Sequence, residues 1–315
     1  LKTYTKVIDF MGPNGAYPMG DLTMAPNGKM YGLTTTGGTN NMGVIFEYSP
    51  ADSSFMVKHN FDSISSGANP SGSLIIVDDS LLYGLSRNGG VNGIGTLYKY
   101  NFINNIFTKL VDFSQYSSGS QPAGSLMQAN NGRLYGVTSK GGMNGYGKLF
   151  EYNTTTNQCT GVYEFYDYIS GAYPQGKLVQ ANNGMLYGVA ESGGAHSSGI
   201  LFEYSFYVNE FNTKVDFDST LNGKKPLCSL TLSKTGNLLG YSSMGGSSNS
   251  GTLFEYSALG DSLTIKHTFT GTNGANPYFG SLLLAKEYPI YDTFNQTICA
   301  GDTIIHGPDT IPTPG

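Results

Sequence analysis

Two acidic positions recur along the chain at a spacing that could bring carboxylates together. The first stands inside an aromatic–charged–aromatic triplet and is filled by Glu47, Glu151, Glu203 and Glu255, with Lys99 as the exception. The second precedes a phenylalanine and is filled by Asp9, Asp112, Glu164 and Asp216. Paired carboxylates can serve a glycoside hydrolase or bind calcium. A catalytic pair is needed only once, so we interpret these acids as a solvated outer edge that discourages edge-to-edge association.

The histidines predict no metal site. His59 and His267 occupy one position of the repeat described below, where other copies have Val111, Tyr163 and Val215. We therefore interpret both as strand positions filled by whatever side chain fits. His196 lies in a loop, and no second His or Cys stands near it at the spacing of zinc ligands. The residues thus predict no cofactor, with calcium as the alternative.

The three cysteines carry little chemistry. Cys159 stands where the other copies have Phe or Leu, and Cys228 stands where they have glycine. Both are interpreted as small buried thiols. Cys299 lies outside the repeat and could pair with a partner beyond residue 315. The chain also lacks a Gly-x-Ser-x-Gly elbow, a phosphate loop and a His-Glu-x-x-His motif.

These interpretations depend on a period of 52 residues that recurs five times. A Tyr-Gly pair marks the first four copies, at Tyr31-Gly32, Tyr83-Gly84, Tyr135-Gly136 and Tyr187-Gly188, and becomes Leu239-Gly240 in the fifth. A Gly-Gly pair follows in each copy, at Gly37-Gly38, Gly89-Gly90, Gly141-Gly142, Gly193-Gly194 and Gly245-Gly246. A constant period indicates an array of one supersecondary unit. Residues shared by all copies are then architectural, and function is expected where the copies differ.

The third copy predicts four short strands. Strand A covers residues 124–129, B 133–138, C 147–152 and D 159–165, and Asn130-Asn131-Gly132 is a hairpin signal between A and B. No segment has helical periodicity. Four antiparallel strands in about 50 residues are typical of a β-propeller blade, so we predict an all-β propeller. An elongated β-solenoid is the main rival.

The ends of the array suggest how the ring closes. A lone D-type strand is predicted at Thr5–Phe10 and a lone A-type strand at Gly280–Ala285. Both would fall into one vacant blade, which favours six blades with the sixth closed by both termini; five blades stay possible. We predict a propeller over residues 1–285 and, over 286–315, a linker with the possible start of an Ig-like domain.

Composition and charge narrow the partners. The net charge of −5 and the pI of about 5.3 argue against nucleic acid or an anionic membrane surface. No run of ~18 apolar residues is present, so the chain is not expected to span a membrane. The 44 glycines and the 12% of charged residues suit short strands joined by tight turns. Because the chain begins at Leu1 without a leader, we expect that it was trimmed from a longer precursor.

The segments Gly132-Arg-Leu-Tyr-Gly136 and Gly147-Lys-Leu-Phe-Glu-Tyr152 resemble the GloVer tandem repeat of secreted proteins that are common in Bacteroidetes. The resemblance covers residues 1 to about 285. Residues 296–304 resemble the opening of Ig-like modules in large surface proteins of that phylum. The resemblance implies a secreted or cell-surface protein, exported by the type IX route through a C-terminal region that this chain lacks. It implies no reaction.

Several Asp-Ser or Asp-Thr pairs followed by an apolar residue resemble the acceptor for O-glycosylation in the same phylum. The acceptor hydroxyls would be those of Ser63, Ser80, Ser262, Thr303 and Thr310. Turns of any β protein are rich in Asp and Ser, which is the alternative explanation for the motif.

With strand A innermost, the D–A and B–C loops emerge on one face, and the copies differ there. The candidate ligand-binding residues are Tyr17, Asn40, Asn69, Asn92, Gln121, Asn144, Tyr173, His196, Lys225 and Asn276. Amide and tyrosine side chains suit hydrogen bonding and stacking to a glycan or a protein. We therefore predict a non-catalytic binding or adhesion module. A structural spacer without a ligand and an extracellular carbohydrate-active enzyme are the alternatives.

Overall fold

The structure is a computed structural model that describes residues 6–167, 169–278 and 280–282, together with two short strands near the C-terminus. The chain divides into two compact units, Leu1–Leu282 and Leu283–Gly315. No helix occurs in the described residues, which confirms the all-β prediction. Residues 286–302, with Cys299 and most of the predicted Ig-like start, lie outside the described part.

Five antiparallel sheets follow one another in the described residues of the first unit. The first comprises β1 (Thr23–Met24), β2 (Met30–Thr34), β3 (Val44–Ser49) and β4 (Ser54–Asn60). The second comprises β5 (Ala68–Ile76), β6 (Leu81–Asn88), β7 (Thr96–Asn101) and β8 (Ile106–Asp112). The third comprises β9 (Ser120–Gln128), β10 (Leu134–Lys140), β11 (Lys148–Asn153) and β12 (Gln158–Glu164).

The fourth and fifth sheets, like the first, have short inner strands. The fourth comprises β13 (Ala172–Pro174) and β14 (Val179–Gln180), which both pair with β15 (Leu186–Ser192), then β16 (Ile200–Ser205) and β17 (Glu210–Asp216). The fifth comprises β18 (Thr231–Leu232), β19 (Leu238–Ser242), β20 (Thr252–Ser257) and β21 (Ser262–Thr268). In the second unit, β22 (Thr303–His306) pairs with β23 (Asp309–Pro312). Each sheet of the first unit is the predicted A–B–C–D meander.

The Tyr-Gly pair has a steric reason. Gly136 of β10 stands opposite Phe150 of β11, and a Cβ at Gly136 would come within 2.6 Å of the Phe150 ring. The glycine therefore leaves room for the aromatic ring that crosses the sheet. Phe150 in turn packs edge-on against Phe113 of the preceding repeat, with ring centroids 5.0 Å apart. The hydrophobic core thus lies between neighbouring sheets.

The inner strands approach each other closely at the glycine that opens each strand A. A Cβ at Gly72 would lie 2.0 Å from the carbonyl oxygen of Gly124, 52 residues further on. At Gly20 it would lie 2.1 Å from the carbonyl oxygen of Gly72. Only glycine allows this backbone approach, so these positions pack the inner strands around a common centre.

The predicted end strands differ from the structure. Thr5 lies outside the described residues, and residues 6–10 form no strand, so the predicted strand Thr5–Phe10 is wrong for its described part. Phe10 nevertheless packs on Phe46, with ring centroids 5.2 Å apart, as Phe113 packs on Phe150. At the other end, residues 280–282 lie beside the fifth sheet, where Ser229 N donates to Gly280 O at 2.9 Å. Residues 283–285 lie outside the described part.

Candidate functional site: the central cavity

The starts of the inner strands surround a cavity of about 650 Å³. Each of the five copies, and the segment 280–282, contributes one residue. It is the residue that directly follows the glycine of strand A, or that follows Cys228, which takes the place of this glycine in the fifth copy. These six cavity-lining residues are Asp21, Ser73, Ser125, Lys177, Ser229 and Ser281. We refer to them as the inner ring. The volume falls within the range of about 300–1,000 Å³ that is usual for small-molecule sites.

The serines of the inner ring hold neighbouring strands together. The Asp21 amide donates to Ser73 Oγ at 2.8 Å, and the Ser73 amide donates to Ser125 Oγ at 2.7 Å. The Lys177 amide donates to Ser229 Oγ at 3.0 Å in the same way. Because a serine hydroxyl satisfies the amide of the neighbouring strand, serine at this position is architectural. Asp21 and Lys177 are the two members that depart from it.

Asp21 and Lys177 stand three places apart in the six-membered inner ring. The Asp21 carboxylate accepts a hydrogen bond from Ser73 Oγ at 3.2 Å. Lys177 is partly buried, and its ammonium has no ion pair or hydrogen bond with the part of the chain that the structure describes. Burial lowers the pKa of Lys177, while the negative charge of Asp21 opposes that decrease. The two charges therefore act on each other across the cavity.

The inner ring lies at a junction between two spaces. A second cavity of about 450 Å³ is lined by Leu22, Thr23 and Gln128, further along the inner strands. Asp21, Ser73, Met127 and Lys177 line both cavities. Both charged side chains of the inner ring thus belong to the linings of both cavities.

Two of the predicted ligand-binding residues line the central cavity, Tyr17 and Asn69, and Arg87 joins them. All six predicted D–A loop residues have a left-handed backbone, with φ between 49° and 57°; they are Tyr17, Asn69, Gln121, Tyr173, Lys225 and Asn276. Five of the six donate their backbone amide to the preceding repeat, as when Gln121 N donates to Ile94 O at 2.8 Å. The Asn69 amide group donates to Thr35 O at 3.1 Å. This position therefore has a structural role in addition to any contact with a ligand.

The four predicted B–C loop residues do not line the cavity. The side-chain amides of Asn40 and Asn92 donate to the carbonyl oxygens of Phe61 and Phe113, at 2.9 and 2.8 Å. Asn144 donates to the Glu164 carboxylate, and His196 Nδ1 lies 3.8 Å from Asp218. These contacts stiffen the loop. Whether the residues also contact a ligand stays a prediction.

The recurring acids are more than a solvated edge, and that interpretation is wrong for Glu47. Glu47 is only 4% exposed, and its carboxylate accepts hydrogen bonds from Tyr31 Oη and Lys29 Nζ, both at 2.6 Å. Burial alone would raise the pKa of Glu47, but these hydrogen bonds bring it below its usual value. Tyr135 and Tyr187 donate to Glu151 and Glu203 in the same way. The Tyr-Gly tyrosine thus has a hydrogen-bond partner that the sequence did not reveal.

The acid near the end of strand D closes the B–C loop. Asp112 accepts a hydrogen bond from Val91 N, and Asp216 accepts one from Ala195 N, both at 2.8 Å. In the described residues, no group of three or more His, Cys, Asp or Glu side chains is arranged to hold a metal ion. The acids that recur are therefore used by the fold.

His59, Cys159 and Cys228 occupy packed positions. His59 stacks on Phe107 of the second sheet with ring centroids 3.8 Å apart, and burial lowers its pKa to about 4. The two cysteines are free thiols, and burial raises the pKa of each to about 12. Neither thiol is activated, because a reactive cysteine needs a lowered pKa.

The predicted O-glycosylation residues have different surroundings. Ser63 has a left-handed backbone, with φ of 63°, and the Ser80 hydroxyl donates to Asp78 at 3.0 Å. Ser262 is exposed at the start of β21. Thr303 and Thr310 belong to β22 and β23. Modification of these residues stays a prediction.

The sheets and the cavity define a tandem-repeat, all-β protein with a propeller-like fold. The model of the Gloeobacter/Verrucomicrobia repeat matches residues 1–130 and 114–305, and the chain belongs to this family. No curated protein matches the sequence. In the part of the chain that the structure describes, no helix is long and apolar enough to cross a membrane.

Solved structures share the fold at low identity. The extracellular domain of a putative one-component system from B. thetaiotaomicron has a TM-score of 0.56 and 13% identity, over 83% of this chain and 29% of that one. A chain of a nidogen–laminin complex has a TM-score of 0.54 and 13% identity, over 84% of both chains. A puromycin hydrolase variant in complex with PGG has a TM-score of 0.52 and 14% identity, over 78% of this chain and 36% of that one. The chain thus spans less than a third of the first of these structures.

Proposed function

We propose that the chain is a non-catalytic binding module of a secreted or cell-surface protein, and that it holds a glycan or a protein at the D–A and B–C loop face. One observation carries the proposal. The loop face opens, between Tyr17 and Asn69, into a cavity of about 650 Å³ whose inner ring contains two charged side chains that the repeat does not require. Residues that depart from an architectural pattern at a concave surface are the best candidates for binding.

A six-bladed ring is the closure that we propose with this function. Phe10 packs on the first sheet as the last phenylalanine of a preceding blade would. Ser281 forms a parallel bridge with Ser229, and Thr231 Oγ1 donates to Leu282 O at 2.8 Å. Thr23 Oγ1 donates to Leu74 O at 2.6 Å in the same relation. Residues 280–282 therefore take the place of a sixth inner strand.

The acids of the cavity support a non-catalytic role. Asp21 is the one carboxylate among the described residues that line it. Glycoside hydrolysis in most families uses two carboxyl groups on either side of the scissile bond. Six of the eight recurring acids accept hydrogen bonds from tyrosines or loop amides. A location outside the cell is supported by the likeness to the extracellular domain from B. thetaiotaomicron.

A glycan array with the full chain tests the proposal, read beside a Tyr17→Ala variant. Tyr17 is 72% exposed at the cavity mouth. The matched control is Tyr207→Ala, because Tyr207 is 61% exposed in the turn between β16 and β17, on the opposite face. We expect binding that Tyr17→Ala weakens and Tyr207→Ala leaves intact. No binding to glycans or to extracellular proteins would favour the spacer instead.

A further inference from the structure

The lining of the central cavity, taken as a whole, carries more positive charge than its structure needs. Lys177 and Arg87 both line the cavity, and neither forms an ion pair with any residue that the structure describes. Asp21 is the one acid among the described lining residues, so these sum to +1, from two cations and one carboxylate. The whole chain has a net charge of −5. A positive cavity in a negative protein favours an anionic ligand.

The two cations stand at different depths. Arg87 is near the end of β6, where Asn88 Nδ2 donates to Asn69 Oδ1 at 3.1 Å, and so belongs to the mouth. Lys177 belongs to the inner ring and lines both cavities. A partly buried ammonium without a partner lowers its free energy when an anion reaches it. Lys177 is therefore the deeper anchor.

The remaining polar groups suit hydroxyls. Ser125, Ser229 and Gln175 line the cavity with groups that donate or accept hydrogen bonds, and Asp21 can accept two further hydroxyl donors. Aromatic rings are scarce, because Tyr17 at the mouth is the one aromatic side chain among the described lining residues. This chemistry fits a polyhydroxylated ligand better than a planar aromatic one.

We propose that the central cavity binds a short acidic oligosaccharide, with the carboxylate of a uronic acid paired to Lys177 and its hydroxyls held by Asp21 and the serines of the inner ring. The inference rests on the proposed function and specifies the class of its ligand. Arg87 at the mouth pairs with a second acidic sugar of the same chain.

Calorimetric titration of the full chain with trigalacturonic acid tests the inference, with galactotriose as the neutral probe and a sulfated galactose trimer as the other anion. We expect the uronate to bind and the neutral trimer to bind at least tenfold more weakly. Lys177→Ser restores the residue that three other copies carry, so we expect the fold to be retained. It should weaken uronate binding by about tenfold to a hundredfold.

Three further variants keep the result interpretable. Arg87→Ser, which copies Ser139 and Ser243 at the equivalent position, should weaken binding less than Lys177→Ser. Lys234→Ser changes the same charge at an exposed position of the turn between β18 and β19 and should leave binding intact. Lys177→Gln serves if Lys177→Ser does not fold, and the same loss of uronate binding is expected for it.

The outcomes separate this inference from the proposed function. Equal binding of uronate by the wild type and Lys177→Ser, or equal binding of uronate and neutral trimer, would overturn the inference while a glycan-binding module survives. Preference for the sulfated trimer would overturn the carboxylate assignment. Binding of none of the three probes would also overturn it, and the glycan array then decides whether the module binds other ligands.

Discussion

The first and the third sheets are built from the same repeat, yet the equivalent leucine is exposed in one and buried in the other. Leu126 of the third sheet is 1% exposed, whereas Leu22, its equivalent in the first sheet, is 52% exposed. Leu126 packs with Tyr83 and Leu85 of the second sheet. No sheet among the described residues covers Leu22 in the same way. A repeat therefore does not bury its own core, because the preceding sheet covers it.

The largest effect is expected when that leucine is removed. Leu126→Ala should lower the free energy of unfolding by about 3 kcal/mol, because it leaves a cavity between two packed sheets. Leu22→Ala should cost less than about 1 kcal/mol, since its side chain is half in solvent. Urea denaturation of the full chain, followed by tyrosine fluorescence, measures both.

Leu74→Ala is the control for position, because Leu74 is 2% exposed and should behave as Leu126 does. Equal losses for Leu22→Ala and Leu126→Ala would show that a further part of the chain covers Leu22 in solution. That result would contradict the exposure of Leu22 in the first sheet and would support a complete sixth blade.

The outer strands differ in the same way, at a histidine position. His59 in β4 is covered by Phe107 of the second sheet, whereas His267, at the same place in β21, is exposed. Burial lowers the pKa of His59 to about 4, below the ordinary value of about 6.5. Between these values the unfolded chain binds a proton that the folded chain does not, so stability falls as the pH decreases through this window.

At pH 5 the loss should be about 2 kcal/mol relative to pH 7. His59→Phe should abolish this part of the pH dependence, while His267→Phe should leave it in place. Thermal unfolding of the three proteins at pH 5 and pH 7 provides the measurement. If His59→Phe and the wild type lose stability in parallel, the histidine is already protonated in the folded chain.

The sequence predicted strands B and C closely, since 133–138 and 147–152 became Leu134–Lys140 and Lys148–Asn153. Alternating aromatic and polar residues determine these strands locally. Strand A was predicted at 124–129 and begins at Ser120, because a register irregularity lets the chain pair with β10 on both sides of it. Local pattern does not reveal pairing that continues past a break in register.

The site was harder to predict than the strands. The sequence located the variable loops, but the inner ring is created by contacts across the period, such as Asp21 N to Ser73 Oγ. One signal was available, since aspartate and lysine replace serine at a single repeat position. The sequence did not reveal that Glu47 is buried beside Tyr31.

The third prediction compares Tyr31 with Tyr83. Tyr31 donates to the buried Glu47, whereas Tyr83 stands opposite Lys99. Tyr31→Phe should lower the free energy of unfolding by about 1.5 kcal/mol, because the buried Glu47 carboxylate loses a hydrogen-bond donor. Tyr83→Phe should change stability by less than about 0.5 kcal/mol. Urea denaturation at pH 7 measures both, and a double variant with Glu47→Gln should recover part of the loss if the pair is coupled.

The smallest effect concerns the left-handed residues of the D–A loops. Gln121 and Asn69 both have φ of 53°, but asparagine adopts this conformation more readily. Asn69 also reaches Thr35 O with its side-chain amide at 3.1 Å, and Asn276 reaches Ser243 O at the same distance.

Gln121→Asn should therefore raise the free energy of unfolding by about 0.5 kcal/mol. Asn69→Gln should lower it by a similar amount, because the longer side chain loses both the backbone preference and the hydrogen bond. Precise urea midpoints of the two variants measure these changes. A loss on Gln121→Asn would mean that the loops of the second and third sheets are not interchangeable, and that the Gln121 side chain has a role of its own at the binding face.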